Sequence, residues 1–272
     1  HTIRAYVGGA RALVSFAGAR GIAVADIDLA LLRAWLAELT RRGAARTTPF
    51  RGFEAALRAE GVRVVAEIKR ASPSKGDLAP DLDPSTVAAA YEAGGAAALS
   101  VLTEPAFFKG SIHDLQTARD AVSIPVLRKD FIVDPYQIHE SRAIGADAIL
   151  LIVRILDDAQ LRALLALTRD NGLDALVEVF DDADLDRALA AGATLIGINN
   201  RDLGTFATDL SNATTLARRI APPAIAMALS GVASAADVAA LAARGLSRFL
   251  VGEALVRSAD PAALLREMRA CE

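Results

Sequence analysis

Glu67 and Lys69 stand two residues apart in the run Val64-Val-Ala-Glu-Ile-Lys-Arg-Ala-Ser-Pro-Ser-Lys-Gly76. Side chains two apart on a strand share a face, so this acid and this base point the same way. Burying them unpaired would be costly, and a strand ending in such groups delivers them to a site. Other apolar runs end similarly. Ser100 and Thr103 follow one, with Phe107 and Phe108 in the next loop; Arg128, Lys129 and Asp130 close another. Glu178, then Asn199, Asn200, Arg201 and Asp202, then Ser230-Gly231 and Gly252-Glu253 close four more. Acids, lysines and amides suit acid–base chemistry on an organic anion. Histidines and cysteines form no cluster, so neither a metal nor a cofactor is expected. A lysine close to another lysine in a partly dry mouth is expected to have a depressed pKa.

The elements that must carry these residues recur. Strand-like runs begin near Val64, Ala98, Val126, Ala148, Ala175, Leu195, Ile225 and Phe249, 20–34 residues apart, with helical patterns between them. Gly95, Gly145, Gly172, Gly192 and Gly245 precede the next strand, where a left-handed helix cap is wanted. Asp83-Pro84, Asp134-Pro135 and Asp260-Pro261 read as an N-cap followed by proline at the first helical position. Strands rich in Val, Ile, Leu and Ala without polar alternation are buried on both faces, hence parallel. Eight such units in 272 residues predict a single α/β (β/α)8 TIM barrel over 49–272, with an N-terminal helical extension over 1–48. A doubly wound open sheet is the competing fold, but no glycine-rich turn follows the first strand. In such a barrel chemistry sits at the C-terminal strand ends. Backbone N–H groups at Gly231 and Gly252 are placed where these barrels commonly hold phosphate.

Composition bounds the partners. A formal net charge of −3 gives no reason to expect nucleic acid or membrane, and charges interrupt every long apolar stretch. A small phosphorylated substrate and a monomer or weak homodimer are expected. Cys271 is the single cysteine, so no intrachain disulfide forms and a reducing cytoplasm is the expected setting. No signal peptide is visible, and a chain beginning at His1 is expected to lack its natural start.

Residues 1–48 read as two helices, about 2–19 and 28–42. Seven arginines against Asp26, Asp28 and Glu38 give this piece +4, which leaves −7 for the rest. The stretches His1-Thr-Ile-Arg-Ala-Tyr6, Leu31-Leu-Arg-Ala-Trp-Leu-Ala-Glu-Leu-Thr40 and Ala45-Arg-Thr-Thr48 resemble the N-terminal core-binding region of tyrosine recombinases, a DNA-gripping helical module. No catalytic part of that family is present, and Trp35 also suits a core anchor of an amphipathic appendage.

From about Pro49 to Leu265 the chain is similar to indole-3-glycerol phosphate synthases. The resemblance rests on Ala66-Glu-Ile-Lys-Arg-Ala-Ser-Pro-Ser-Lys-Gly76, Pro125-Val-Leu-Arg-Lys-Asp-Phe131, Tyr136-Gln-Ile-His139, Leu176-Val-Glu-Val179, Gly197-Ile-Asn-Asn-Arg-Asp-Leu203 and Leu250-Val-Gly-Glu253. It implies a carboxy-lyase of tryptophan biosynthesis. Its substrate would be 1-(2-carboxyphenylamino)-1-deoxyribulose 5-phosphate, which loses carbon dioxide and water on ring closure. Carried over by motif, Lys129 is the general acid, Glu178 its acid–base partner, and Asn199 holds a ribulose hydroxyl. Lys69 meets anionic groups and Glu67 orients the lysines. Ser72, Phe108 and Phe131 line the aromatic side, with Arg201 and Ser230 also against substrate. Lys69, Gly231, Gly252 and Glu253 form the phosphate end. Leu229 departs from the family, which usually carries glutamate there. Two other readings stay open: another phosphate-binding barrel enzyme of the phosphoribosyl isomerase type, and a catalytically weakened or DNA-associated fusion. For Arg119, Arg142 and Arg187, on helices, structural ion pairs or a solvated rim are expected, and His113 and His139 are read as non-catalytic.

Overall fold

The computed structural model describes residues 49–201 and 207–271. The two helices expected over 1–48, the recombinase-like resemblance and Trp35 lie outside the described residues. Eight strands close a parallel barrel: β1 Arg63–Ile68, β2 Ala98–Leu102, β3 Val126–Lys129, β4 Ala148–Ile152, β5 Asp174–Val179, β6 Leu195–Asn199, β7 Ile225–Leu229 and β8 Arg248–Val251. Each neighbours the next in sequence, and β1 closes the ring by pairing Val65 with Leu250 on one side and with Ala98 on the other. The helices α1 Pro84–Ala93, α2 Ile112–Ala121, α3 Pro135–Ala143, α4 Asp158–Asp170, α5 Asp182–Ala190, α6 Ser211–Ala217, α7 Ala235–Ala242 and α8 Pro261–Arg269 follow the strands in turn.

Local chemistry explains the helix ends. Asp83, Asp134 and Asp260 accept N–H bonds from Ser85, Tyr136 and Ala263, each with proline in the first turn. The five expected glycines all have positive φ, from 69° at Gly172 to 91° at Gly145, a backbone that other residues adopt only at a cost.

Strand alternation divides the apolar residues into two layers. Val64, Ala66 and Ile68 of β1 face the helices, while Val65 joins Leu127, Leu150, Leu176, Met227, Leu229 and Leu250 inside the barrel. The floor of that interior is a helix that the sequence reading did not separate, Phe53–Arg58. Phe53 and Leu57, one turn apart, are fully buried against the strand starts. Carboxylates at those starts hold its N-terminal side: Asp147 accepts the Arg51 N–H at 3.0 Å, and Asp174 accepts the Glu54 N–H at 2.8 Å. Asp147 also pairs with Arg119, itself 1% exposed. Arg119 is thus the structural ion pair expected of it. Arg187 likewise pairs with Asp158 at 2.6 Å.

Candidate active site

The C-terminal strand ends surround a cavity of about 1010 Å³. Glu67 and Lys69 enter it from β1, as their spacing required, and Lys129 enters from the end of β3. Lys69 Nζ lies 2.8 Å from Glu67 Oε1 and Lys129 Nζ lies 3.4 Å from Oε2. One carboxylate, 3% exposed, therefore sits between two ammonium groups. Ser100 Oγ adds a long contact of 3.4 Å to the same Oε2.

Electrostatics correct one expectation. The Lys129 pKa is raised, not depressed: burial pushes it down, but attraction to Glu67 and Glu178 and the hydrogen bond to Glu67 outweigh burial. The expectation weighed the neighbouring lysine and left out the buried acid that both lysines share. Burial alone would raise the Glu67 carboxyl, yet Lys129 and Lys69 hold it at about 2. Glu178 goes the other way. Burial raises it, and the opposing pull of Lys129 and of the Asn199 hydrogen bond does not cancel that. Asn199 Nδ2 donates to Glu178 Oε1 at 3.1 Å, while its Oδ1 accepts the Arg201 N–H at 3.0 Å, which fixes the amide's orientation.

The other expected residues line the same cavity. Ser72 comes from a small hairpin, Ala71–Ser72 against Gly76–Asp77, that rises beyond β1. The Phe108 and Phe131 rings lie 6.4 Å apart at 44°. Arg201, Ser230, Gly231, Gly252 and Glu253 complete the wall. Ser230 and Gly231 both have positive φ, 63° and 87°. Asn200 is positioned differently from the strand-end groups around it. It braces this turn, donating from Nδ2 to the carbonyls of Leu229 and Ser230 at 3.1 Å each. Close approach explains Gly252: a Cβ there would lie 2.6 Å from Glu67 Oε1 and 3.2 Å from Lys69 Nζ. The glycine thus sets the backbone directly beside the acid–base pair. Leu229 is 1% exposed and lines the cavity floor, with its Cδ1 where a Cβ on Gly197 would come within 2.6 Å.

Arg154 and Glu104 are among the lining groups that sequence reasoning missed. Arg154, from the short turn Val153–Ile155 after β4, lies 4.4 Å from the Phe180 ring centroid and bonds Asp184 at 2.8 Å. The run that begins at Ala148 stays apolar through Val153, one residue short of this arginine. Glu104, next to Thr103, also borders the cavity; its position one residue past a strand-end threonine was the only signal.

A closed parallel barrel whose C-terminal mouth holds a lysine–glutamate–lysine cluster carries a donor set suited to acid–base catalysis on a small anionic substrate. The chain belongs to the indole-3-glycerol phosphate synthase family, whose model matches residues 24–268. The match starts upstream of residue 49 and so includes part of the stretch likened above to recombinases. Indole-3-glycerol phosphate synthase of Desulfosudis oleivorans is 54% identical over 208 residues, 76% of this chain and 79% of that protein. The enzyme of the same name from Mycolicibacterium gilvum is 51% identical over 233 residues, 86% of this chain and 85% of its own. Among solved structures, 3-hexulose-6-phosphate synthase from Salmonella typhimurium superposes with a TM-score of 0.60 at 15% identity, covering 77% of this chain and 97% of that one. Thiamine phosphate pyrophosphorylase from Pyrococcus furiosus gives 0.59 at 14% identity, covering 77% and 95%. These two likenesses concern the fold.

Proposed function

We propose that this barrel closes the pyrrole ring of indole-3-glycerol phosphate, converting 1-(2-carboxyphenylamino)-1-deoxyribulose 5-phosphate to product with loss of carbon dioxide and water. The observation that carries the reading is the shared carboxylate: Glu67 holds Lys69 and Lys129 in one buried cluster at the mouth, inside a chain of this family.

Lys129, kept protonated by Glu67 and Glu178, donates a proton to the ribulose carbonyl oxygen as the ring carbon bearing the carboxyl group attacks the carbonyl carbon. Loss of carbon dioxide returns the bonding electrons to the ring. The hydroxyl then leaves as water after a second protonation, while the adjacent nitrogen-bearing carbon gives up a proton and the ring double bond forms. Glu178, with its raised pKa, is suited to carry protons between these steps. Asn199 holds a ribulose hydroxyl from its fixed orientation, and Arg201 and Ser230 bind the sugar chain. Lys69, Gly231, Gly252 and Glu253 receive the phosphate, with Gly252 beside the Lys69 ammonium. Ser72, Phe108 and Phe131 take the aromatic ring.

The same reading includes a division at residue 49, with 1–48 as an appended helical segment, a monomer or weak homodimer, and a cytoplasmic setting in which the lone Cys271 stays a thiol. No helix of the described residues is long and apolar enough to cross a membrane. Purified protein incubated with the carboxyphenylamino substrate should develop indole fluorescence. Unchanged substrate would overturn the reading in favour of a weakened fusion, and isomerisation of a phosphoribosyl compound would favour the isomerase-type barrel.

A further inference from the structure

Glu104 is 6% exposed and yet bonds to no side chain cation among the described residues. Its carboxylate is instead wrapped by its own loop. Oε1 accepts the Ala106 N–H at 2.8 Å, and Oε2 accepts those of Phe107 at 2.6 Å and Phe108 at 3.2 Å. The Gly110 N–H returns to the Glu104 carbonyl at 3.0 Å and closes the loop. Gly110 is pressed against the end of β2, where an added Cβ would lie 2.1 Å from the Leu102 carbonyl oxygen. A buried carboxylate and three convergent N–H groups satisfy one another, because neither would tolerate burial alone.

This loop carries Phe108 into the cavity against Phe131. The opposite ring has its own anchor. Asp130 Oδ1 accepts the Phe131 N–H at 2.8 Å, while Oδ2 accepts from Thr103 Oγ1 at 2.6 Å and from Arg128 at 3.2 Å. Each phenylalanine is therefore set by a carboxylate through its backbone, Glu104 buried and Asp130 partly so, and the two carboxylates follow adjoining strands.

We propose that Glu104 is a positioning residue for the substrate's aromatic ring, folding the loop that presents Phe108 to the cavity. The inference rests on the ring-closure reading, in which Phe108 and Phe131 flank the aromatic part. Phe108 and Phe131 meet the apolar part of that ring, a contact already made when substrate binds, so Glu104 acts on KM more than on kcat.

The test is a double-mutant cycle in the full chain with the carboxyphenylamino substrate. Glu104→Ala is expected to raise KM about tenfold with kcat changed less than about threefold, since it removes hydrogen bonds to a charged acceptor. In a Phe108→Ala background the same change is expected to move KM less than about twofold. Glu104→Gln keeps the size and one acceptor oxygen, so it serves if the alanine variant does not fold, with KM raised about threefold. An unchanged KM in a wild-type-active preparation, or a rise in KM undiminished by Phe108→Ala, would overturn the proposal. A wild-type protein that forms no indole product removes the underlying reading and this inference with it.

Discussion

Glu67 is where the site's charges meet, and its neighbours set the pH behaviour. Lys129 is raised above its ordinary 10.5 and Glu178 above its ordinary 4.5. If Lys129 acts protonated and Glu178 deprotonated, kcat/KM should climb with pH on a limb above 4.5 and hold to the alkaline side, falling only beyond about 10.5. A fall near pH 8 in a pH–rate profile would contradict the Lys129 assignment. Lys129→Ala should lower kcat by roughly 10²–10⁴ through loss of the proton donor, with circular dichroism unchanged because the residue lies at the polar mouth. Leu229 calls for the opposite substitution. Leu229→Glu should raise kcat/KM by up to roughly 10- to 150-fold if a carboxylate there meets a charged donor in the transition state. It should also lower the melting temperature, because the leucine is 1% exposed among apolar neighbours. A flat kcat/KM would mean that Glu67 and Glu178 already supply the acids. At this scale the sequence showed the Glu67–Lys69 pair, because period-two alternation is local. It did not show the sign of the Lys129 shift, because the acid between the lysines arrives from another strand.

The elements were legible wherever a local rule decides them. Parallel strands buried on both faces read as unbroken apolar runs, and Asp-Pro and glycine marked the helix ends. The helix Phe53–Arg58 escaped that reading because six residues give no periodicity, and its place as the barrel floor follows only from closure. Phe53→Ala should cost about 3–5 kcal/mol in urea unfolding while leaving kcat unaltered, since the floor and the mouth are at opposite ends of the strands. A large loss of kcat at full occupancy of the folded state would show the floor to be coupled to the site. Similarly, Arg154 was hidden because a turn, not a strand, turns it into the cavity.

For the whole molecule, the buried charge cluster sets an acid limit. The folded Glu67 carboxyl lies at about 2 against an ordinary 4.5. A depressed carboxyl contributes stability that is present above the unfolded value and is lost as pH falls from 4.5 toward 2. On this account wild-type stability should drop by about 3 kcal/mol more than that of Glu67→Gln across the window, read as urea midpoints at each pH. Parallel curves would remove the cluster's part in stability. Nucleic acid is a weak candidate at this scale, because +4 on residues 1–48 is set against −7 on the rest. A gel shift at physiological salt should show no retardation. The most direct measurement is stoichiometric turnover of 1-(2-carboxyphenylamino)-1-deoxyribulose 5-phosphate by the wild-type chain. One indole product and one carbon dioxide per substrate consumed, with both lost in Lys129→Ala, is the predicted result. Substrate left intact by the wild-type chain, or equal turnover by the variant, would contradict it.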